Sequence, residues 1–385
     1  MKRAYFIGLV ATTLSTSCFS SVHTLAAPLS DDQHIQATPG GEVQQSLSNS
    51  IRMLGTQTPL IQAYGLVILQ QPNIKVAAMS NLAAHQTFAK TNVREWLDEY
   101  SPQILNMNQE ILRFNTRFNS YYNNISHLLE NPKMREQDKQ YVIDAINQLQ
   151  QQSEETKKRL EQTEFSLNQF EVQTVTDSNK LSEKVRTAIQ SLEGESGNIQ
   201  QLRKDIKQLQ EEIQNNLTTI LNRPDEISKG SINIAKELFK ISSTTTLNTF
   251  DFSAISSLSE GFTNASDSNT RQAALNFQKK QKELVAAIQK LAETQSQATE
   301  ITCIEDQVNS FADLISRQVR TFKNAMIDWR MFEEKLIQLK STVQADTDFN
   351  QTNIQKQLTQ LKDWNDTMYK QAKQFEDAIL QISVR

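Results

Sequence analysis

Apolar residues recur along most of this chain at steps of three and four. One run passes through Leu82, Ala89, Val93, Trp96, Tyr100, Ile104, Met107, Ile111, Phe114, Phe118, Tyr121, Ile125 and Leu128, with a single skip at Gln86. A second passes through Leu181, Val185, Ala188, Leu192, Ile199, Leu202, Ile206, Leu209, Ile213 and Ile220, and a third from Leu284 through Phe311, Phe322, Trp329 and Phe332 to Leu339. This spacing places the apolar side chains on one seam of an α-helix. The helix breakers agree: no proline follows Pro224, no glycine follows Gly261, and only Gly194 and Gly197 interrupt the stretch between Pro132 and Pro224. A chain that avoids Gly and Pro over such distances while keeping a seam is built from very long helices.

Local signals divide the run. Gly55 is expected to interrupt a first helix, with Thr58 capping a second start and Pro59 at its first position. The segment 60–71 is apolar nearly all round at Leu66 to Leu69, so this helix should be buried on most sides. Ser80 is the expected cap of the next helix. Pro102 should kink that helix without ending it, because the seam keeps its phase beyond. From Lys133 toward Leu221 the pattern predicts a helix of roughly 130 Å if unbroken, softened at 194–197 and at 172–179. A third long helix is expected from about Asn269 to Val343, and a last one after the polar link at 345–352.

Between the second and third long helices lies a different kind of sequence. Residues 222–269 contain Pro224, Gly230 and Gly261, are rich in Ser and Thr, and alternate at Ile232/Ile234, Phe239/Ile241 and Phe250/Phe252. Period-two alternation favours a β-hairpin, or a short helix followed by strands. Leaving its aromatic residues in water would create a sticky patch, so they are expected to tuck against neighbouring helices.

The chain has 385 residues and a formal net charge of −4. Residues 1–26 read as an export signal: Lys2 and Arg3, an apolar stretch to Leu14, and small residues near Ala26. Its removal would take the charge to −6, which argues against nucleic acid as partner. Residues 27–46 read as a disordered tail, 47–221 and 270–385 as a helical bundle, and 222–269 as a head. Cys303 is the one cysteine beyond the signal. No internal disulfide is then possible, and Cys303 reads as a small apolar residue on a helix face. Only His34, His85 and His127 remain, none in a metal or catalytic spacing, so no enzyme, cofactor or metal site is expected.

Particular strings carry a resemblance. "LSNSIRMLGTQTPLIQAYGLVILQQPNIKV" (47–76), "NVREWLDEYSPQI" (92–104), "TRFNSYY" (116–122) and "LTTILNRPDEISKGSINI" (217–234) resemble the lytic component A branch of the tripartite non-haemolytic enterotoxins. That branch belongs to the wider group of haemolysin BL and cytolysin A. The resemblance implies a mainly α fold: an elongated bundle of about five long antiparallel helices with a small α+β head bearing a β-tongue. It implies a secreted protein, a soluble monomer before assembly, that joins two sister components on a host-cell membrane to form a lytic pore. Phe239, Ile241, Phe250, Phe252, Ile255 and Phe262 become candidate membrane or partner contacts, and Pro224, Gly230 and Gly261 candidate hinges. Ile232 to Phe262 is broken by five charged residues, so the head is amphipathic and not a membrane-spanning helix. The competing reading is an exported coiled-coil or adhesin-like rod without membrane activity. The Ser/Thr-rich insert speaks against it, since a simple rod has no use for one.

Overall fold

A computed structural model describes residues 68–193, 197–221, 268–345 and 349–380, and part of 50–66. The described residues of 50–70 are helical (α1). Seven helices follow: α2 Leu82–Glu95, α3 Ser101–Leu129, α4 Glu136–Leu192, α5 Asn198–Leu221, α6 Ser268–Thr294, α7 Ser296–Ala345 and α8 Gln351–Leu380. A π-helical turn, Trp96–Tyr100, joins α2 to α3. Among the described residues the only β-type pairing is an isolated bridge between Val76 and Met79. The expected signal, tail and nearly all of the head with its β-tongue lie outside the described residues.

Helix α4 alone holds 57 residues, or about 85 Å of rise. Its main partner is α7, while α8 pairs with α3, and α3 with α4. All three pairs run antiparallel. Lys340 of α7 donates to Gln150 of α4, while Ser178 farther along α4 donates to Asn309 near the start of α7. Asn108 and Asn115 donate to the carbonyls of Ala372 and Asn365. Helix α1 is threaded through the middle: Ile51, Leu54, Thr58 and Ile61 are fully buried. Its buried polar groups bind α7, with Ser50 donating to Asp328, Gln57 to Thr321, and Gln318 to Thr58. These five lengths of helix (α1, α2–α3, α4, α7, α8) form the expected bundle.

Several local readings change. Gly55 does not interrupt α1. It is helical, and an added Cβ there would stand 2.9 Å from Phe375 Cβ and 3.1 Å from Phe375 Cα, so the glycine serves close helix approach. Thr58 does not cap a new start. It lies inside the helix and its hydroxyl donates back to the Leu54 carbonyl. Ser80 is replaced by Asn81 as the residue before α2, with no side-chain cap. Pro102 does not end the helix, as expected: with no N–H to give, it follows a turn widened into the π form, and the seam continues. Residues 172–179 are uninterrupted helix, with Thr174 and Ser178 buried. The third long helix is two helices, broken at Gln295 where neither Gly nor Pro gives warning.

Candidate functional site

The predicted contact residues Phe239, Ile241, Phe250, Phe252, Ile255 and Phe262, and the predicted hinges Pro224, Gly230 and Gly261, all lie outside the described residues. What the structure describes is the frame that carries them: α5 leads into the segment, α6 leads out, and the two pair antiparallel, mainly with each other. Their seam is Ile199, Leu202 and Ile206 on α5, against Ala273, Ala274, Phe277, Leu284, Ile288 and Leu291 on α6. The small Ala273 and Ala274 and the large Phe277 are buried toward the start of α6. Lys280 crosses the pair to Glu212 at 2.6 Å and also meets Glu283 at 2.9 Å. Hydrogen bonding to Lys280 lowers the Glu212 carboxyl, and the same bonds raise the Lys280 ammonium. This pair is a stalk.

The stalk meets the body at two chain breaks. On one side Gly197 takes φ +65°, the left-handed region that glycine enters freely. On the other, α6 stops at Thr294 and α7 starts at Ser296. The Gln295 side chain there accepts from the Gln297 amide, and Gln297 in turn accepts from the backbone N–H of Ala78. Asn309 of α7 binds Ser178 and Ser182 of α4, which sets the ends of α4 and α7 level.

Arg203, five residues into α5, reaches Glu305, nine residues into α7, at 2.5 Å. If α5 continued α4 in a straight line, those two residues would lie roughly 30 Å apart along the axis. Two side chains cannot span that, so the stalk leaves the body at an angle, at the softening expected near 194–197. Glu305 is largely buried. Desolvation raises its carboxyl above the usual range, and Arg203 offsets this only in part. An ion pair in this setting positions more than it stabilises.

Sequence reasoning located the softening at 194–197 but missed Gln295, Arg203, Glu305 and Gln297, whose roles depend on contacts across distant helices. Other titratable groups are unremarkable in placement. Burial pushes the Cys303 thiol well up, which keeps it unreactive. His85 is half-buried beside Asn81, and desolvation lowers its imidazole. Among the described residues no group of His, Cys, Asp or Glu is placed to hold a metal ion.

A sequence model of the Bacillus haemolytic enterotoxin (HBL) family matches residues 42–216, from ahead of α1 almost to the end of α5. Over those residues the chain is similar to the HBL family. No curated protein matches it by sequence. Its fold is similar to that of the Bacillus cereus HblL1 toxin component, with a TM-score of 0.64 at 14% identity over 85% of this chain and 95% of that one. It is also similar to soluble SmhA of the tripartite α-pore-forming toxin from Serratia marcescens (0.66, 12%, over 89% and 96%). Soluble AhlB of the tripartite toxin from Aeromonas hydrophila follows at 0.59 and 16%, over 87% and 92%. The helical fold shared with these structures thus extends over most of the chain.

Proposed function

We infer that this chain is a secreted component of a multi-component pore-forming toxin, assembling with two sister proteins on a target-cell membrane and lysing the cell. The observation that carries the reading is the match to the HBL family over residues 42–216, beside a pair of helices, α5 and α6, that flank residues 222–267 in the chain. The lytic component A role rests on the strings at 47–76 and 217–234. Nothing in the family or in the described side chains points to catalysis, and the work of such a protein is assembly.

The amphipathic segment is the part that meets lipid or partner heads, through Phe239, Ile241, Phe250, Phe252, Ile255 and Phe262, with Pro224, Gly230 and Gly261 as hinges. No described helix is long and apolar enough to cross a membrane, and residues 232–262 carry charges throughout. Several copies closing a barrel or a helical ring would turn their polar residues inward.

Dye release from cells or liposomes tests this, with the purified chain alone and with the sister components added before or after it. The chain alone should release little dye and the mixture much. Strong leakage by the chain alone would remove the need for partners. No leakage under any order of addition would return the protein to the class of coiled-coil rods.

A further inference from the structure

The outer face of the α4/α7 pair, opposite the core, carries an apolar stripe that nothing in the described chain covers. Phe165 is 64% exposed and Val172 66%, two turns apart on α4; Ile327 is 53% exposed and Met331 37%, one turn apart on α7. Two ion pairs fix these residues side by side. Glu161 of α4 meets Arg330 of α7 at 3.2 Å, and Glu171 meets Lys323 at 3.9 Å. Phe165 lies one turn beyond Glu161, and Ile327 one turn beyond Lys323, so both rings of contact fall between the same two rungs. The core sides of these helices hold Leu167 and Phe170, and Trp329 and Phe332, all buried. The stripe is therefore surplus to folding, and it measures on the order of a few hundred Å², the size of the largest patch on a typical monomer.

The charge arrangement selects the occupant. All the acidic members of the two rungs sit on α4 and all the basic members on α7. A two-fold axis along the bundle lays α4 of one copy over α7 of another. Acidic edge then meets basic edge twice, and Phe165 meets the Ile327–Met331 step. A two-fold axis across the bundle would lay acid on acid. We propose that this face is a self-complementary contact with a second copy of the chain, closing a weak isologous dimer through a four-helix layer. This replaces the monomer expected from the sequence. An area well below that of a standard interface makes the contact a weak and transient one.

Sedimentation equilibrium of the full mature chain tests it across micromolar concentrations. The wild type should pass from monomer to dimer as concentration rises. Lys323→Glu alone and Glu171→Lys alone should each weaken self-association about tenfold or more, since each sets like charges across the contact. An equimolar mixture of the two variants should recover it, because the mixed dimer pairs opposite charges at both sites even though each variant's internal rung is broken. Phe165→Ser, at an exposed position, should keep the melting temperature of the wild type and lose the dimer. A wild type that stays monomeric, variants that dimerise unchanged, or a mixture that fails to recover would each overturn the proposal. So would a patch that proves silent in self-association and acts only in binding a sister component.

Discussion

The body and the stalk are both made of antiparallel amphipathic helices, yet they are held in different ways. In the body, rings from three helices interlock: Phe114 lies 5.1 Å from Trp329 and 5.6 Å from Phe332, and Phe332 lies 5.7 Å from Trp364. Buried side-chain amides tie helix to helix at fixed heights, as Asn108 does to Ala372 and Asn115 to Asn365. Such bonds fix register, because sliding one helix by a turn would strand a buried donor. The stalk has one large buried ring, Phe277, and its one described ion pair between helices, Lys280–Glu212, is at the surface. One architecture thus serves two ends: many interlocked contacts make a fixed frame, and fewer ones make a part able to move.

The largest effect expected from this comparison is in the body. Phe118→Ala removes a fully buried ring next to Phe114 and Phe332. It should cost about 3–5 kcal/mol of global stability, read as a lower urea midpoint, with amide exchange in α5 and α6 unchanged. Phe277→Ala makes a similar truncation in the stalk. It should cost the global transition only about 1–2 kcal/mol, because the stalk opens locally before the body unfolds, and it should speed exchange throughout α5 and α6. Equal losses in the two variants would break the comparison, since the stalk would then be part of one cooperative unit.

The joint between the two regions gives finer tests. Gly197→Ala puts a side chain in the left-handed region with open space around it, so the cost of about 1–2 kcal/mol is backbone strain alone. It should appear as a larger radius in small-angle scattering as the stalk loses its fixed angle. The smallest effect concerns pH. Because burial raises the folded Glu305 carboxyl, its contribution is most favourable below the ordinary carboxylate range and is lost as pH rises through the folded value. Exchange protection at the start of α5 should therefore increase from neutral toward mildly acid pH. Glu305→Gln cannot titrate and should flatten that trend. A slope that persists in the variant would assign the pH dependence elsewhere.

Much of the frame was legible in the chain because periodicity reports burial directly. Leu82, Val93, Trp96, Ile104 and Phe118 all lie in the core as their spacing predicts. Even the skip in the seam has a reason: Gln86 is buried and holds the loop before α2, accepting from the Ile74 amide and donating to the Pro72 carbonyl. Legibility failed where a residue acts through a distant partner. Gly55 and Thr58 read as punctuation, since local rules cannot see Phe375 or Gln318 packed against them. Gln295 has no breaker signature, and its break is the counterpart of the one at Gly197. Arg203 and Glu305 look like ordinary surface charges in sequence, a hundred residues apart. The predicted head contacts and hinges fall outside the described residues, so the sequence alone supports them.

The angle at the joint has a mechanical meaning. Helix α5, with its 24 residues, is about 36 Å long, somewhat more than the hydrocarbon thickness of a bilayer at roughly 30 Å. Folded to one side, that length adds nothing to the reach of the body. Swung into line with α4, it would carry the end of the stalk outward by most of its own length, with no helix unravelled and no core opened. The Arg203–Glu305 contact lies close to the pivot, where the movement is smallest. A contact in that position restrains a large excursion from its short arm, and a protein made mostly of rigid rods is well suited to such leverage.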